Sequence, residues 1–223
     1  METYNSSSVE NFIKTIYNFE RREGWDTRSG SIARELGITN AAATDMARKL
    51  AIKKLINYEK YKALRLTNSG EKLAVDVIRK HRLWETFLHR VLGLSLHEIH
   101  REAEMLEHAT SDFLLEKIST YLGNPVIDPH GDPIPDKQGV FEKNTECMSI
   151  SETSENEYYR ISRLSSSEEE FFDFCNTHQL LPGTVLKIRK HYLRNQMTEI
   201  EINENVIILN TNLASFIFVV LNN

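Results

Sequence analysis

Apolar residues near the amino terminus recur with helical spacing. Along residues 9–20 they fall at i, i+3, i+4, i+7 and i+8, namely at Val9, Phe12, Ile13, Ile16 and Tyr17. This spacing puts them on one face of a helix. We therefore expect a first helix from Val9 to Glu20 with a single buried face.

Two shorter helices are predicted next, joined by a turn that contains a glycine. The first covers residues 27–36 and ends at Gly37, which suits a helix C-cap. The second covers residues 39–50 and begins with Thr39 or Asn40 as its N-cap. Two short helices joined in this way are typical of a helix-turn-helix.

A β-hairpin is predicted directly after the helix-turn-helix. Residues 55–59 and 63–67 read as two short strands, and Lys60, Tyr61 and Lys62 form a basic tip between them. A helix-turn-helix followed by a hairpin predicts a winged helix over residues 1–66, a fold that commonly binds DNA.

A long helix is predicted from a cap at Thr67 to about Leu92, followed by helices near residues 95–106 and 111–122. The long helix has more apolar surface than one small domain needs, at Trp84, Phe87, Leu88 and Val91. We therefore expect residues 67–139 to form an all-helical domain through which the chain makes a homodimer.

The last third of the chain has a different pattern. Residues 123–139 hold four of the five prolines and predict an ordered, non-helical linker. Short alternating runs then predict strands at Val185–Tyr192, Glu199–Ile202, Val206–Leu209 and Phe216–Val220, with a helix near Ser167–His178. Residues 140–223 are therefore expected to form a small SH3-like β-barrel, which makes the whole chain α+β.

The net charge of −5 is distributed unevenly along the chain. Residues 1–80 carry a net charge of +5, whereas residues 81–223 carry −10. A nucleic-acid contact needs only local positive charge, so it is expected in the first third. There, Thr39, Asn40, Ala42, Thr44 and Arg48 are predicted to face DNA from the second short helix.

Basic residues around these positions are predicted to meet phosphates, namely Arg48, Lys49, Lys60, Lys62 and Arg65. The alternative is that Arg48 and Lys49 only solvate a helix. Few long polar side chains would face the bases, so sequence readout is expected to depend on thymine methyl contacts and DNA shape.

The cysteines and the hydropathy pattern indicate where in the cell the protein is expected. Cys147 and Cys175 are far apart and belong to no CxxC motif, which argues against a disulfide framework or a cysteine zinc site. No run approaches the roughly 18 apolar residues of a membrane span, and the first residues lack the features of a signal peptide. A cytoplasmic location is expected.

Histidine and glutamate side chains cluster in the helical region. On a continuous helix, His100, Glu104, Glu107 and His108 would lie within about a quarter of the circumference. His81 and Glu85 repeat the arrangement at i, i+4 on the preceding helix. Imidazole and carboxylate donors suit Mn²⁺ or Fe²⁺. The alternative is that these are ordinary solvated helix residues.

These segments also carry a family resemblance. The block RKHRLWETFLHRVLGLSLHEIHREAEMLEHATSD, with its KHRL and EHxxSD motifs, resembles the diphtheria toxin repressor and manganese regulator family. The likeness extends upstream through INYEKYKALRLTNSGEKLA and downstream through NPVIDPHGDPIP, about 125 residues in all. The resemblance implies a metal-dependent repressor that binds palindromic operator DNA as a homodimer.

The resemblance also implies two metal sites. The family's primary site falls on Asn11, Glu104, Glu107 and His108, and its ancillary site falls on His81, Glu85, His100 and a C-terminal ligand, Glu170 before Glu168. Glutamate at 104 is typical of the manganese branch, so Mn²⁺ is expected, with Fe²⁺ as the alternative. Asn11 replaces an acidic ligand, and Lys14 stands where some members have a second glutamate, which disfavours a closely spaced metal pair.

Two other functions remain open from the residues. Carboxylate-histidine oxidases also use paired helices, but they need Glu-x-x-His pairs, and neither this pattern nor HExxH occurs in the chain. Enzymatic activity is therefore not expected. A metal-independent winged-helix regulator that senses a small molecule or a partner through its β-rich domain is the second alternative.

Overall fold

A computed structural model of the chain describes residues 6–21, 24–142, 147–166 and 168–222. The chain folds into two compact units, each built from separate segments. Unit one contains residues 1–81, 104–115 and 135–140, and unit two contains residues 82–103, 116–134 and 141–223. These units divide the helical region that the sequence predicted as one consecutive domain.

Three helices form the amino-terminal part of unit one, α1 (Ser7–Glu20), α2 (Ser29–Glu35) and α3 (Asn40–Ile52). The apolar face of α1 is buried as its spacing predicted, with Phe12, Ile13 and Ile16 almost fully enclosed. Gly37 has a φ of +63°, the left-handed conformation that glycine adopts without strain, and it makes the turn between α2 and α3.

The predicted wing follows α3, although its paired strands are shorter than expected. Strands β1 (Ile56–Asn57) and β2 (Arg65–Leu66) pair antiparallel, with Ile56 opposite Leu66. Leu64 is fully buried and anchors the wing to the helices. The observed elements therefore match the predicted winged helix, and residues 58–64 form a longer connection than the hairpin pattern indicated.

The helical region contains α4 (Asn68–Leu92), α5 (Leu96–Leu106) and α6 (Asp112–Tyr121). A 3-10 turn, Glu107–Ala109, follows α5 directly. A 3-10 turn advances about 120° per residue rather than about 100°. The angular positions that the sequence analysis gave to Glu107 and His108 on a continuous α-helix are therefore wrong, although the two side chains still reach Glu104.

The proline-rich segment is ordered and non-helical, as predicted. In unit two, Asp128 Oδ1 accepts hydrogen bonds from the backbone N–H groups of His130 and Asp132, both at 2.9 Å. Gly131 has a φ of +92°, and a Cβ there would lie 1.9 Å from the carbonyl oxygen of Ser162. Only glycine allows this close approach of the linker to the strand that contains Ser162.

The carboxy-terminal part of unit two is a six-stranded antiparallel sheet with the order β3-β8-β4-β5-β6-β7. Its elements are β3 (Met148–Ser149), β4 (Tyr158–Leu164), α7 (Glu169–Thr177), β5 (Val185–Tyr192), β6 (Met197–Ile202), β7 (Asn205–Asn210), α8 (Thr211–Ser215) and β8 (Ile217–Leu221). Ser167, the first residue of the predicted helix, lies outside the described residues. The sequence analysis did not name β3, β4 or α8.

Candidate functional site

A cluster of metal-ligand side chains in unit one joins the end of α5 to the 3-10 turn. Glu104, Glu107 and His108 each offer one ligand atom, and these atoms all lie within 4.8 Å of one another. Glu107 is almost fully buried, while Glu104 and His108 are partly exposed. The three residues predicted from this segment for a primary metal site are therefore brought together.

His108 is oriented by a carboxylate from α1. Its Nδ1–H donates a hydrogen bond to Glu10 Oε2 at 2.5 Å. The other ring nitrogen, Nε2, is buried and has no hydrogen-bond partner among the described residues; the Glu107 Oε1 atom lies 3.5 Å from it. With Nδ1 protonated, the lone pair of Nε2 is free for a metal ion, the arrangement that metal-binding histidines commonly show.

Asn11 contributes a second unsatisfied atom. Its Oδ1 is buried without a hydrogen-bond partner among the described residues. Asn11 lies on α1 between Glu10 and Lys14, both of which contact the cluster. Buried oxygen and nitrogen acceptors are rarely left unpaired. An unpaired imidazole nitrogen beside two carboxylates, with an unpaired amide oxygen on the same stretch of α1 as Glu10 and Lys14, fits a hard divalent cation such as Mn²⁺ or Fe²⁺.

Lys14 adds a positive charge to the same cluster. Its Nζ lies 2.7 Å from Glu104 Oε2 and 2.7 Å from Glu107 Oε1. Burial lowers the pKa of Lys14, but the charges of Glu107 and Glu104 and hydrogen bonds to both outweigh this effect, and the pKa is raised above its ordinary value. The ammonium is therefore charged at neutral pH.

His81, predicted for the ancillary site, contacts the primary cluster in unit one. Its Nδ1–H donates to Glu107 Oε2 at 2.6 Å and lies 3.7 Å from Glu104 Oε2. Both oxygens of the buried Glu107 carboxylate thus face positively charged or hydrogen-donating groups. His81 therefore orients Glu107.

A second cluster lies in unit two, where Glu85, Asp128 and His130 place ligand atoms within 4.8 Å of one another, and all three residues are buried. The sequence analysis named Glu85 but missed Asp128 and His130. The signal was present in NPVIDPHGDPIP, because an Asp and a His two residues apart in a rigid proline-rich segment project from a fixed backbone.

Burial and neighbouring charges shift the pKa values of two residues in the second cluster. Burial raises the pKa of Asp128 to about 8, and the charges of Glu85 and Asp132 add to this effect. Burial lowers the pKa of His130, but its hydrogen bond to Glu85 and the charges of Glu85 and Asp128 raise it to about 9. His130 also donates from Nε2 to the Leu96 carbonyl at 3.0 Å, so its Nδ1 faces Glu85.

Another ancillary candidate, His100, lies next to Glu85 in unit two. His100 Nδ1 lies 3.2 Å from Glu85 Oε1. Glu170 is exposed on α7, and among the described residues it belongs to none of the clusters of three metal-ligand side chains. Glu169 is the carboxylate of α7 that approaches α5, at 3.5 Å from His97 Nε2. The prediction of Glu170 as a ligand therefore gains no support.

The predicted DNA-facing residues lie on the surface of unit one with one partial exception. The exposed ones are Thr39, Asn40, Ala42, Arg48, Lys49, Lys60, Lys62 and Arg65. Thr44 is half-buried, and its hydroxyl donates to the Asn40 carbonyl at 2.8 Å. The Thr39 hydroxyl accepts from Ala42 N–H, so Thr39 is the N-cap of α3.

Several of these cations already have acidic neighbours. Lys49 Nζ lies 2.8 Å from Asp45, and Lys62 Nζ lies 2.5 Å from Glu59. Surface pairs of this kind contribute little stability. The sequence analysis also missed Tyr61 as a candidate contact; it is 83% exposed at the wing tip with a φ of +67°.

The apolar surface predicted for a dimer is only partly exposed. In unit two Leu88 is buried, so it does not contribute, whereas Trp84 is half-buried and Val91 is 40% exposed. Leu92 and Tyr121, which were not among the predicted residues, are 59% and 71% exposed. Phe87 is half-buried, with its ring 6.1 Å from that of Tyr121.

Among the described helices, none combines the length and the apolar content needed to cross a membrane.

Three family models match consecutive parts of the chain. Residues 5–64 match the N-terminal DNA-binding domain of iron-dependent repressors, and residues 67–136 match their metal-binding and dimerisation domain. Residues 148–221 match the FeoA domain. The three matches follow the order of the predicted segments.

Individual proteins show the same relationship. The chain is 34% identical over 117 residues to an HTH-type transcriptional regulator of Methanocaldococcus jannaschii, covering 52% of this chain and 94% of that protein. It is 34% identical over 128 residues to the iron-dependent repressor IdeR of Mycobacterium tuberculosis. That match covers 57% of this chain but only 55% of the mycobacterial protein.

Solved structures match over nearly the whole chain. A manganese-dependent transcriptional repressor in complex with manganese has a TM-score of 0.89 at 28% identity, with 96% of this chain and 100% of that chain covered. The manganese regulator SloR has a TM-score of 0.79 at 27% identity, with 96% and 98% covered. The likeness therefore includes the FeoA domain.

Proposed function

Because this chain belongs to the iron- and manganese-dependent repressor family typified by the diphtheria toxin repressor, we propose that it represses metal-homeostasis genes by binding palindromic operator DNA as a homodimer when Mn²⁺ is bound. One observation carries the proposal for this chain's own residues. His108 Nε2, in the cluster with Glu104 and Glu107, is buried and unpaired among the described residues. The same is true of Oδ1 of Asn11, the residue that follows the His108 partner Glu10 on α1.

The proposed ligands are Asn11, Glu104, Glu107 and His108. These residues, on α1 and at the end of α5, would hold a divalent ion, whose positive charge would neutralise the clustered carboxylates. Glu10 holds the proton on His108 Nδ1, which keeps Nε2 available. His81 holds Glu107 from its other side.

Helix α1 connects this cluster to the wing. Its first eight residues include Glu10, Asn11 and Lys14, while Glu20 at its end accepts a hydrogen bond from the Leu66 N–H at 3.3 Å. A change in the position of α1 is thereby passed to β2. Metal acts as a ligand that favours one placement of the winged helix, the one that fits DNA.

The donor set supports Mn²⁺, with Fe²⁺ as the alternative. Glu104 presents a hard carboxylate, and both cysteines lie outside the two clusters. Carboxylate, amide and imidazole donors suit Mn²⁺, whereas a thiolate would favour softer ions. Since Mn²⁺ binds most sites more weakly than the later transition metals, selectivity must come from the geometry that each ion imposes.

We assign the ancillary role to the cluster of Glu85, Asp128 and His130 in unit two, with His100 beside Glu85. Its donors are again oxygen and nitrogen. Since His130 Nδ1 faces Glu85, cation binding there must release the proton that the pair shares. A second, weaker ion per chain is expected.

The DNA contacts divide into two groups. The exposed residues at the start of α3, Asn40 and Ala42, are proposed to approach base edges in the major groove. Arg48, Lys49, Lys60, Lys62 and Arg65 are proposed to meet phosphates. Two winged helices are required for a palindrome, and the exposed Val91, Leu92 and Tyr121 offer an apolar face for dimerisation.

Chelated protein titrated with each metal on operator DNA tests the proposal, with sedimentation to establish the dimer. Duplexes from upstream of its own gene or of a metal-transporter gene supply the operator. Mn²⁺ should increase operator affinity by about tenfold or more. Equal affinity with chelator and with Mn²⁺ would instead favour the metal-independent regulator.

A further inference from the structure

Lys14 places a fixed positive charge among the proposed metal ligands. Its Nζ is 2.7 Å from one oxygen of Glu104 and 2.7 Å from one oxygen of Glu107. The Lys14 side chain is 14% exposed and that of Glu107 is fully buried. The ammonium therefore lies between the two carboxylates rather than in solvent.

The oxygens of Glu107 are both engaged by groups of this chain. Oε1 accepts from Lys14, and Oε2 accepts from His81 Nδ1 at 2.6 Å. A buried carboxylate without such partners is strongly unfavourable. A metal ion that binds Glu107 must therefore share an oxygen with one of these donors or displace it.

Lys14 also connects the same two parts of the chain that the proposed ligands connect. It lies one helical turn after Asn11 on α1, and its contacts are at the end of α5 and in the following 3-10 turn. A primary ammonium forms a compact cation with three donors on a flexible stem. It has the sign of charge and the reach to neutralise the carboxylates, and it can withdraw without moving the backbone.

We infer that Lys14 is a tethered competitor of the divalent ion, which bridges Glu104 and Glu107 when no ion is bound and leaves at least one of them when the ion enters. The inference rests on the proposed function for the identity of the site. Its consequence is regulatory: Lys14 raises the metal concentration at which the protein responds. It also keeps α1 attached to the end of α5 in the absence of metal.

A purely structural role for Lys14 predicts the opposite effect of its removal on metal binding. If the ammonium only preserves the shape of the site, its removal weakens metal binding together with folding. If it competes, its removal destabilises the metal-free protein but tightens metal binding. The two roles are separated by measuring both quantities on the same variant.

The experiment compares the full chain with Lys14→Met, which keeps the length of the side chain and removes its charge. Lys72→Met, a substitution of an exposed lysine on α4, is the matched control. Mn²⁺ affinity is measured by competition with a fluorescent chelator, and the Tm is measured in chelator and in saturating Mn²⁺. Lys14→Met should bind Mn²⁺ about fivefold or more tightly. Its Tm should be lower in chelator and should rise more with Mn²⁺ than that of the parent.

Unchanged or weaker Mn²⁺ binding by folded Lys14→Met overturns the inference. Should that variant not fold, Lys14→Gln is held to the same criterion. Glu107→Gln distinguishes a failure of the proposed function: if the parent binds no Mn²⁺, or if Glu107→Gln binds it equally well, the site itself is misassigned. If Glu107→Gln loses Mn²⁺ and Lys14→Met gains nothing, only the competitor role is rejected.

Discussion

Glu10 Oε2 lies 2.5 Å from His108 Nδ1, so a carboxylate on the first helix fixes the tautomer of a histidine almost a hundred residues later. The consequence is that Nε2 presents its lone pair to the cluster of Glu104 and Glu107. The family motif containing His108 is readable from the sequence, but its orienting partner is not, because the pairing depends on how α1 packs.

Replacing Glu10 is expected to weaken metal binding without removing a proposed ligand. Glu10→Ala removes the acceptor for Nδ1–H, and loss of such an orienting partner typically costs about tenfold to a hundredfold in metal affinity. Glu10→Gln keeps an acceptor oxygen and should give an intermediate loss. Chelator competition with Mn²⁺ measures both, with Glu35→Gln on the exposed side of α2 as control. Parent-like affinity in folded Glu10→Ala would show that His108 needs no orientation from Glu10.

Glu104→Cys is expected to shift the ranking of activating metals away from Mn²⁺. A thiolate binds Fe²⁺, Co²⁺ and Zn²⁺ more strongly than Mn²⁺. The measurement is operator affinity with each metal at equal free concentration. If the ratio of Mn²⁺ to Fe²⁺ activation is the same as in the parent, residue 104 does not set metal preference.

Lys62→Ala is expected to weaken binding to all DNA sequences alike. Loss of one phosphate contact should reduce the slope of log affinity against log salt by about one unit. Glu59→Gln is the matched variant that should strengthen DNA binding, because it frees Lys62 from a carboxylate 2.5 Å away. An unchanged affinity and salt slope in Lys62→Ala would place the wing away from the DNA backbone.

The two cysteines should differ sharply in reactivity. Cys175 is buried, and burial raises the pKa of its thiol to about 12, whereas Cys147 is partly exposed. At about pH 8, alkylation of the folded protein should modify Cys147 only, because the thiolate is the reactive form. Since the folded pKa of Cys175 exceeds the ordinary value of 9.0, its contribution to stability is complete below pH 9.0 and is lost as pH rises toward about 12. Rapid labelling of Cys175 in folded protein at pH 8 would contradict this environment.

The sequence predicted most of the regular structure because its signals are local. The spacing of Phe12, Ile13 and Ile16 defined α1, and Gly37 marked the turn between α2 and α3. Strand β4 was missed because YYRISRL alternates poorly, with a bulge near Arg163. The 3-10 turn after Leu106 was also missed, since nothing in its residue types distinguishes it from another helical turn.

The sequence did not predict those site residues whose proximity depends on tertiary contacts. Glu104, Glu107 and His108 were predicted by resemblance and by a helical spacing that the 3-10 turn alters for the last two, and the structure places all three together. Asp128 and His130 were not selected, because their proximity to Glu85 depends on the path of the linker. The contact of Lys14 with two carboxylates likewise depends on the packing of α1 and is invisible in the local sequence.

We propose that metal at the cluster of Glu104, Glu107 and His108 and operator DNA favour the same state of the protein. Thermodynamic linkage then requires DNA to tighten metal binding by the same factor by which metal tightens DNA binding. The most direct measurement is the Mn²⁺ affinity of the parent and of Glu107→Gln with and without saturating operator duplex. We predict that the duplex tightens Mn²⁺ binding by about tenfold or more in the parent and has no such effect in Glu107→Gln. Equal Mn²⁺ affinity of the parent with and without operator would contradict the account.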